Sequence, residues 1–187
     1  MQRPRILHIF SRYSEVGGEE ICFHAITEAL GAIADVTPFV YSTEELRRSP
    51  HGALTKMSYM LHNRDVEKKL RECLRENHYD AWIIHNTFPA MSPCVYELAL
   101  NQPAPVIHYM HNYRSGCLNG VFYRDGAPCF SCQGGNYLPG IMRACWRKNA
   151  AYSSLAAAVL HQTRRMGTWN RFSSYIAISQ RQRELLI

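Results

Sequence analysis

The run Arg5-Ile6-Leu7-His8-Ile9-Phe10, ended by polar sequence over 11–15 and followed by Gly17-Gly18-Glu19-Glu20, decides the fold. A short apolar run stopped by polar residues reads as a buried strand. The glycine pair then opens a helix. In it Ile21, Cys22, Ala25, Ile26, Ala29, Leu30 and Ile33 recur at three- and four-residue intervals, a spacing that predicts one shared face. Glu19 and Glu20 fall in the first turn, where negative charge complements the helix dipole.

The same strand-then-helix unit repeats along the chain. A second strand is expected over 36–41, a helix over about 65–77 and a third strand over 80–85. Ser92 and Pro93 fit the N-cap and first position of a helix reaching Leu100, and 105–110 forms a fourth strand. Helical sequence resumes over 141–148 and 149–166, a fifth strand covers 174–178, and Ser179 caps a last helix. Strands separated by helices imply an α/β fold, a Rossmann-like parallel sheet covered by helices on both faces. Ligands of such sheets bind beyond the carboxyl ends of the strands, which here are 11–18, 41–43, 85–89 and 111–114.

The length of 187 residues suits one domain able to bury a core unaided, and 47% hydrophobic against 19% charged residues excludes a disordered chain. A net charge of +6 favours anionic partners such as a nucleotide phosphate, a nucleic acid or an anionic membrane. The apolar stretch after the basic N-terminus is too short for a secretory signal, and no run approaches the roughly 20 residues of a membrane span. A cytoplasmic protein is expected, with peripheral contact at the inner face of the membrane as an option. Seven cysteines, an odd number without an export signal, make a disulfide framework the poorer explanation.

Gly17 and Gly18 let the backbone approach an anion at a helix N-terminus, although a tight strand-to-helix turn would use the same residues. The loop lacks G-x-G-x-x-G and the second strand lacks a terminal acid, which disfavours a nicotinamide oxidoreductase. His111, beside Asn112 and Arg114 after the fourth strand, could donate a hydrogen bond to a sugar hydroxyl, or serve structure alone. The segment 112–140, rich in Gly and Cys, is too long for an idle connection. Cys117, Cys129, Cys132 and Cys145 are spaced C-x11-C-x2-C-x12-C, which suits a closed structural zinc site, reduced buried thiols or a redox-dependent disulfide. Pro128-Cys129-x-x-Cys132 matches half of the nucleobase-deaminase signature, but no H-x-E exists in the chain, so that class is rejected. Arg143, Arg147, Lys148, Arg164, Arg165, Arg171, Arg181 and Arg183 lie among aromatic residues late in the chain. They form either a solvated face or a surface for a membrane or nucleic acid.

Taken together, 6–11, 17–20, 81–86 and 106–111 resemble the N-terminal domain of the family-four retaining glycosyltransferases, which have the GT-B fold. The stretch from His111-Asn112-Tyr113-Arg114 through Cys117 to Cys145, with Asp125-Gly126-x-Pro128-Cys129-x-x-Cys132, is similar to a cysteine-bearing insertion in a bacterial subset of that family. Residues 175–179 are similar to the last strand of that domain. The resemblance covers nearly the whole chain and implies an N-terminal, acceptor-side domain over 1–187, with a Cys-rich insertion at about 112–148. It implies a hexosyltransferase that moves a sugar from a nucleotide-sugar to a glycan or lipid-linked acceptor in bacterial surface polysaccharide synthesis.

By the same resemblance Gly17 and Gly18 approach the donor phosphates, His111 contacts the transferred sugar, and Asn112 and Arg114 are weaker cleft candidates. No metal is implied for the transfer. The family's E-x7-E glutamates belong to a C-terminal donor-binding domain, so Glu20 and Glu28, which share that spacing on the first helix, are a coincidence. That domain is expected to be absent and the chain inactive alone. The alternative is a zinc-stapled basic module for membrane or nucleic acid without catalysis, nucleic acid being the poorer partner. A redox regulator built on Cys129 and Cys132 is a third reading.

Overall fold

The computed structural model describes residues 2–186, which form two compact units. The first runs to Tyr109 and includes Asn170–Ile176; the second comprises Met110–Trp169 and the residues from Ala177 onward. In chain order the elements are β1 (Arg5–Arg12), α1 (Gly18–Gly31), β2 (Asp35–Ser42), α2 (Thr43–Arg48), α3 (Ala53–Ser58), α4 (Arg64–Glu76), β3 (Ala81–Ile84), α5 (Cys94–Leu100) and β4 (Val106–Met110). Then come β5 (Tyr123–Arg124), β6 (Ala127–Pro128), α6 (Leu138–Met142), α7 (Ala150–Arg165), β7 (Ser174–Ala177) and α8 (Gln180–Leu186).

The main sheet is five-stranded and parallel, in the order β2-β1-β3-β4-β7. Alternation along the strands sorts its two faces. On one face His8 and Phe10 stack on Phe23 of α1, at ring-centroid distances of 4.3 and 5.1 Å. On the other, His108 meets Tyr96 of α5 edge-on at 5.7 Å. Helices therefore cover both sides, and Leu7, Ile9 and Ile84 are completely buried between them and the sheet. The α/β, Rossmann-like architecture expected from the alternation is the one observed.

Two local expectations are corrected. The face of α1 that meets the sheet carries Glu20 and Phe23, whereas Ile21 and Ile33 are 65% and 68% exposed. Phe23, the bulkiest apolar side chain of the helix, fills the space over His8 and Phe10 and rotates the smaller residues outward. Ser92 is not the N-cap of α5: Pro93 holds that position, and Ser92, at φ 66°, uses its hydroxyl to accept from the N–H of Asn63 at 2.9 Å. The polar stretch after β2 contains two short helices; the first begins with a capping box in which Ser42 and Glu45 bond each other's backbone N–H.

In the second unit Tyr123 and Arg124 pair antiparallel with Pro128 and Ala127. Asp125 and Gly126, at φ 49° and 83°, make the two-residue turn between them, a geometry that Asp-Gly favours. Asn149 caps α7 by accepting from the Tyr152 N–H at 3.1 Å. Ser179 caps α8 as expected, accepting from the Gln182 N–H at 3.1 Å. Among the described residues no helix is long and apolar enough to cross a membrane.

Candidate functional site

The sheet order makes β1 the point where the connections diverge, with β2 on one side and β3 on the other. Open α/β sheets bind ligands in the crevice outside the carboxyl ends at such a point. Here β1 ends beside the residues that follow β3, the Ser11 N–H donating to the Asn86 carbonyl at 3.0 Å. The Ser11 hydroxyl and the Asn86 side-chain carbonyl are both buried and have no hydrogen-bond partner. Buried polar atoms are nearly always paired, so two orphans on adjacent strand ends mark a place for an outside partner, solvent or ligand. The other side of the same amide is engaged: Asn86 Nδ2 donates to Glu19 Oε2.

Gly17 and Gly18 lie between β1 and α1. Gly17 is the N-cap, with extended backbone at φ −129° and ψ 179°, and no side chain caps the helix. A Cβ at either glycine would meet nothing within 4 Å, so neither is held by a packing constraint. The turn is open and the 14-residue helix presents its N-terminus there, which suits an anion. The acidic first turn opposes an anion in part; Glu20, buried, is paired with Arg12 at 2.6 Å.

Histidines of the sheet have a different job. His8 and His85 are buried and touch through their Nε2 atoms at 2.6 Å. Thr27 spends its hydroxyl proton on the Phe23 carbonyl at 2.8 Å, so at 2.9 Å it must accept from His8 Nδ1. His8 Nε2 is then the acceptor and His85 Nε2 the donor. Burial lowers the His8 pKa to about 4, consistent with a ring held neutral. The pair is a structural polar contact under α1.

In the second unit His111 is half-buried and directly follows β4. Asn112 and Arg114 organise the loop after it. The Asn112 side-chain carbonyl accepts from the Arg114 N–H at 3.0 Å, its backbone carbonyl accepts from Gln182 Nε2 at 3.1 Å, and Arg114 Nη1 donates to the Leu118 carbonyl at 2.8 Å. Among the basic residues of this unit, Arg147 lies over Trp146 and Tyr152, and Arg164 donates to the Gly134 carbonyl at 3.0 Å. All eight cations singled out in the sequence are exposed.

Cys117, Cys129, Cys132 and Cys145 line one cavity of about 20 Å³, together with Arg124 and Arg143. All four are free thiols. The Ser131 backbone N–H and hydroxyl, with Arg143 and Arg124 nearby, hold Cys129 below the usual thiol range. Burial, then neighbouring thiols, push Cys132 and Cys145 up. Among the described residues no three His, Cys, Asp or Glu side chains are drawn together tightly enough to hold a metal as they stand. A larger depression, about 290 Å³, lies in the first unit at the other end of the strands, beside Tyr79, Trp82 and Ala104, away from where such sheets bind ligands.

Sequence reasoning brought these strand ends forward but assigned no role to Ser11 or Asn86. Their signal is polarity at the carboxyl ends of two apolar strands, which becomes informative only once strand order makes those ends neighbours. No protein-family model matches this chain, and no curated protein matches it.

Proposed function

We propose that this chain is the acceptor-side domain of a retaining glycosyltransferase of the GT-B type, which transfers a sugar from a nucleotide-sugar to a glycan or lipid-linked acceptor. The observation that carries the reading is the pair of orphaned polar atoms, Ser11 Oγ and Asn86 Oδ1, at the divergence point of a doubly wound sheet. One can donate and the other accept, the combination a sugar hydroxyl or a phosphate-bearing ligand satisfies. The open Gly17-Gly18 turn at the uncapped start of α1 supports it, because backbone N–H groups and the helix dipole favour the leaving diphosphate.

In this reading a second domain binds most of the nucleotide-sugar and supplies the paired glutamates. Gly17 and Gly18 approach the donor phosphates, and His111 donates a hydrogen bond to the transferred sugar. Asn112 and Arg114 act through the loop that positions His111. Leaving-group charge is met by the helix and by side-chain cations, without a metal in the transfer step. The cysteine segment is an insertion in the domain.

The test is a transfer assay on an enzyme carrying both domains, with a panel of nucleotide-sugars and the product's anomeric configuration read by NMR. Retained configuration is expected, and His111→Ala should lower kcat by about 10²–10³ with an unchanged melting temperature. Full turnover of that variant would remove His111 from the chemistry. Steeply salt-dependent nucleic-acid binding with no response to any nucleotide-sugar would overturn the reading in favour of a basic binding module.

A further inference from the structure

We propose that Cys117, Cys129, Cys132 and Cys145 close on a single zinc ion that holds the second unit together. The four cysteines are separated by up to 28 positions (145 minus 117), yet all line the same cavity. At about 20 Å³ it has room for one ion and none for a substrate, since a water needs roughly 10–15 Å³ by the same kind of measure. Its other charged lining residues are Arg124 and Arg143.

Cys117, Cys132 and Cys145 sit at sharp turns of the chain, and Cys129 directly follows the β5–β6 hairpin. The Cys117 carbonyl accepts from the Gly120 N–H at 3.0 Å, the Cys129 N–H donates to Phe122 at 2.8 Å as the chain leaves β6, and the Cys145 N–H donates to Gly140 at 2.9 Å. Cys132 opens the tight turn Gln133–Gly135. Arg143 Nη1 donates to Cys129 Sγ at 3.8 Å, a contact that suits a thiolate carrying surplus negative charge.

A tetrathiolate zinc has a net charge of −2, which the two arginines offset. Four soft thiolate ligands select zinc over oxygen-preferring cations, and a closed set of four leaves no open position for catalysis. On binding, each thiol releases one proton and no electron moves. Zn–S bonds of roughly 2.3 Å require the four sulfurs to draw closer together than they stand. The assignment does not rest on the glycosyltransferase reading.

The test uses the full chain purified under reducing conditions. Elemental analysis should return one equivalent of zinc, released on thiol modification, and cobalt exchange should give the charge-transfer and ligand-field bands of a tetrahedral thiolate site. Cys129→Ser with Cys132→Ser should lose the metal, whereas Cys22→Ser and Cys94→Ser, outside the cluster, should keep it. Metal-free wild-type protein with all thiols open to alkylation, disulfides among the four by mass spectrometry, bound iron with broad visible absorption, or full zinc retention in the double variant would each overturn the proposal. The cobalt spectrum is read on the wild type, so the result stands even where the double variant fails to fold.

Discussion

Leu7, Ile9, Val66, Leu70, Ile84 and Val95 are completely buried in the sheet unit, where apolar strands are sealed between helices. The cysteine unit buries Leu118, Phe122 and Tyr137 around its turns and Ala156, Val159 and Leu160 on α7, with Val121, Tyr123, Phe130, Leu138 and Met142 exposed. Backbone conformation differs as sharply. Among the described residues Phe122, Asp125, Ala144, Arg147 and Lys148 take left-handed φ in the cysteine unit, against Ser92 alone in the sheet unit. Each such residue costs of order 1–3 kcal/mol and persists only where the surroundings hold it. Both units bury apolar side chains, but the cysteine unit adds left-handed turns, and four of its cysteines line one cavity.

The largest effect on this contrast is expected from removing the proposed zinc. A strong chelator under reducing conditions should abolish amide-exchange protection across 117–148 and leave β1 and β3 protected, structural zinc being worth about 10 kcal/mol or more in small domains. Equal loss in both units, or none, would show that they do not differ in this way. Truncating the sheet core comes next. Phe23→Ala should cost about 3–5 kcal/mol by denaturant unfolding, since Phe23 is buried against His8 and Phe10, while zinc content stays unchanged.

The pH dependence of the sheet unit follows from His8, whose pKa is about 4 in the folded protein against 6.5 when unfolded. Below pH 6.5 the unfolded chain takes up a proton that the folded ring refuses. Stability is therefore fully present above about pH 6.5 and declines as pH falls towards about 4, by about 3 kcal/mol in total. A denaturation midpoint flat across that window would contradict the neutral His8–His85 contact.

The smallest effects come from two glycines. A Cβ at Gly140 would stand 2.7 Å from Leu118 Cδ1 and 3.0 Å from Cys132 Sγ, so Gly140→Ala should cost about 1–3 kcal/mol. Gly18→Ala meets nothing within 4 Å and should change the melting temperature little while weakening nucleotide-diphosphate binding. Thermal shift on both variants checks the difference.

Legibility in the sequence divides along the same line. The apolar runs of β1, β3 and β4 and the Ser179 cap could be read because burial and capping act locally and leave a composition signal. The inward face of α1 could not: Ile21 and Ile33 follow helical spacing, but the shape of the sheet beneath chose Phe23. α2 and α3 are short and separated by Pro50 and Gly52, although the Ser42-x-x-Glu45 box was present as a helix start. Ser11 and Asn86 are unremarkable in sequence and gain meaning from strand order alone. The cysteine spacing named all four thiols, whereas the cavity that Cys117, Cys129, Cys132 and Cys145 share depends on turns that no periodicity announces.

The most direct test of the function is an amide NMR titration of this chain with a nucleoside diphosphate. Saturable shifts centred on Ser11, Gly17, Gly18 and Glu19, weakened in Gly18→Ala, are the expected result. Silence at those four amides, or shifts confined to the exposed arginines of the cysteine unit, would contradict a phosphate-binding crevice at the end of β1.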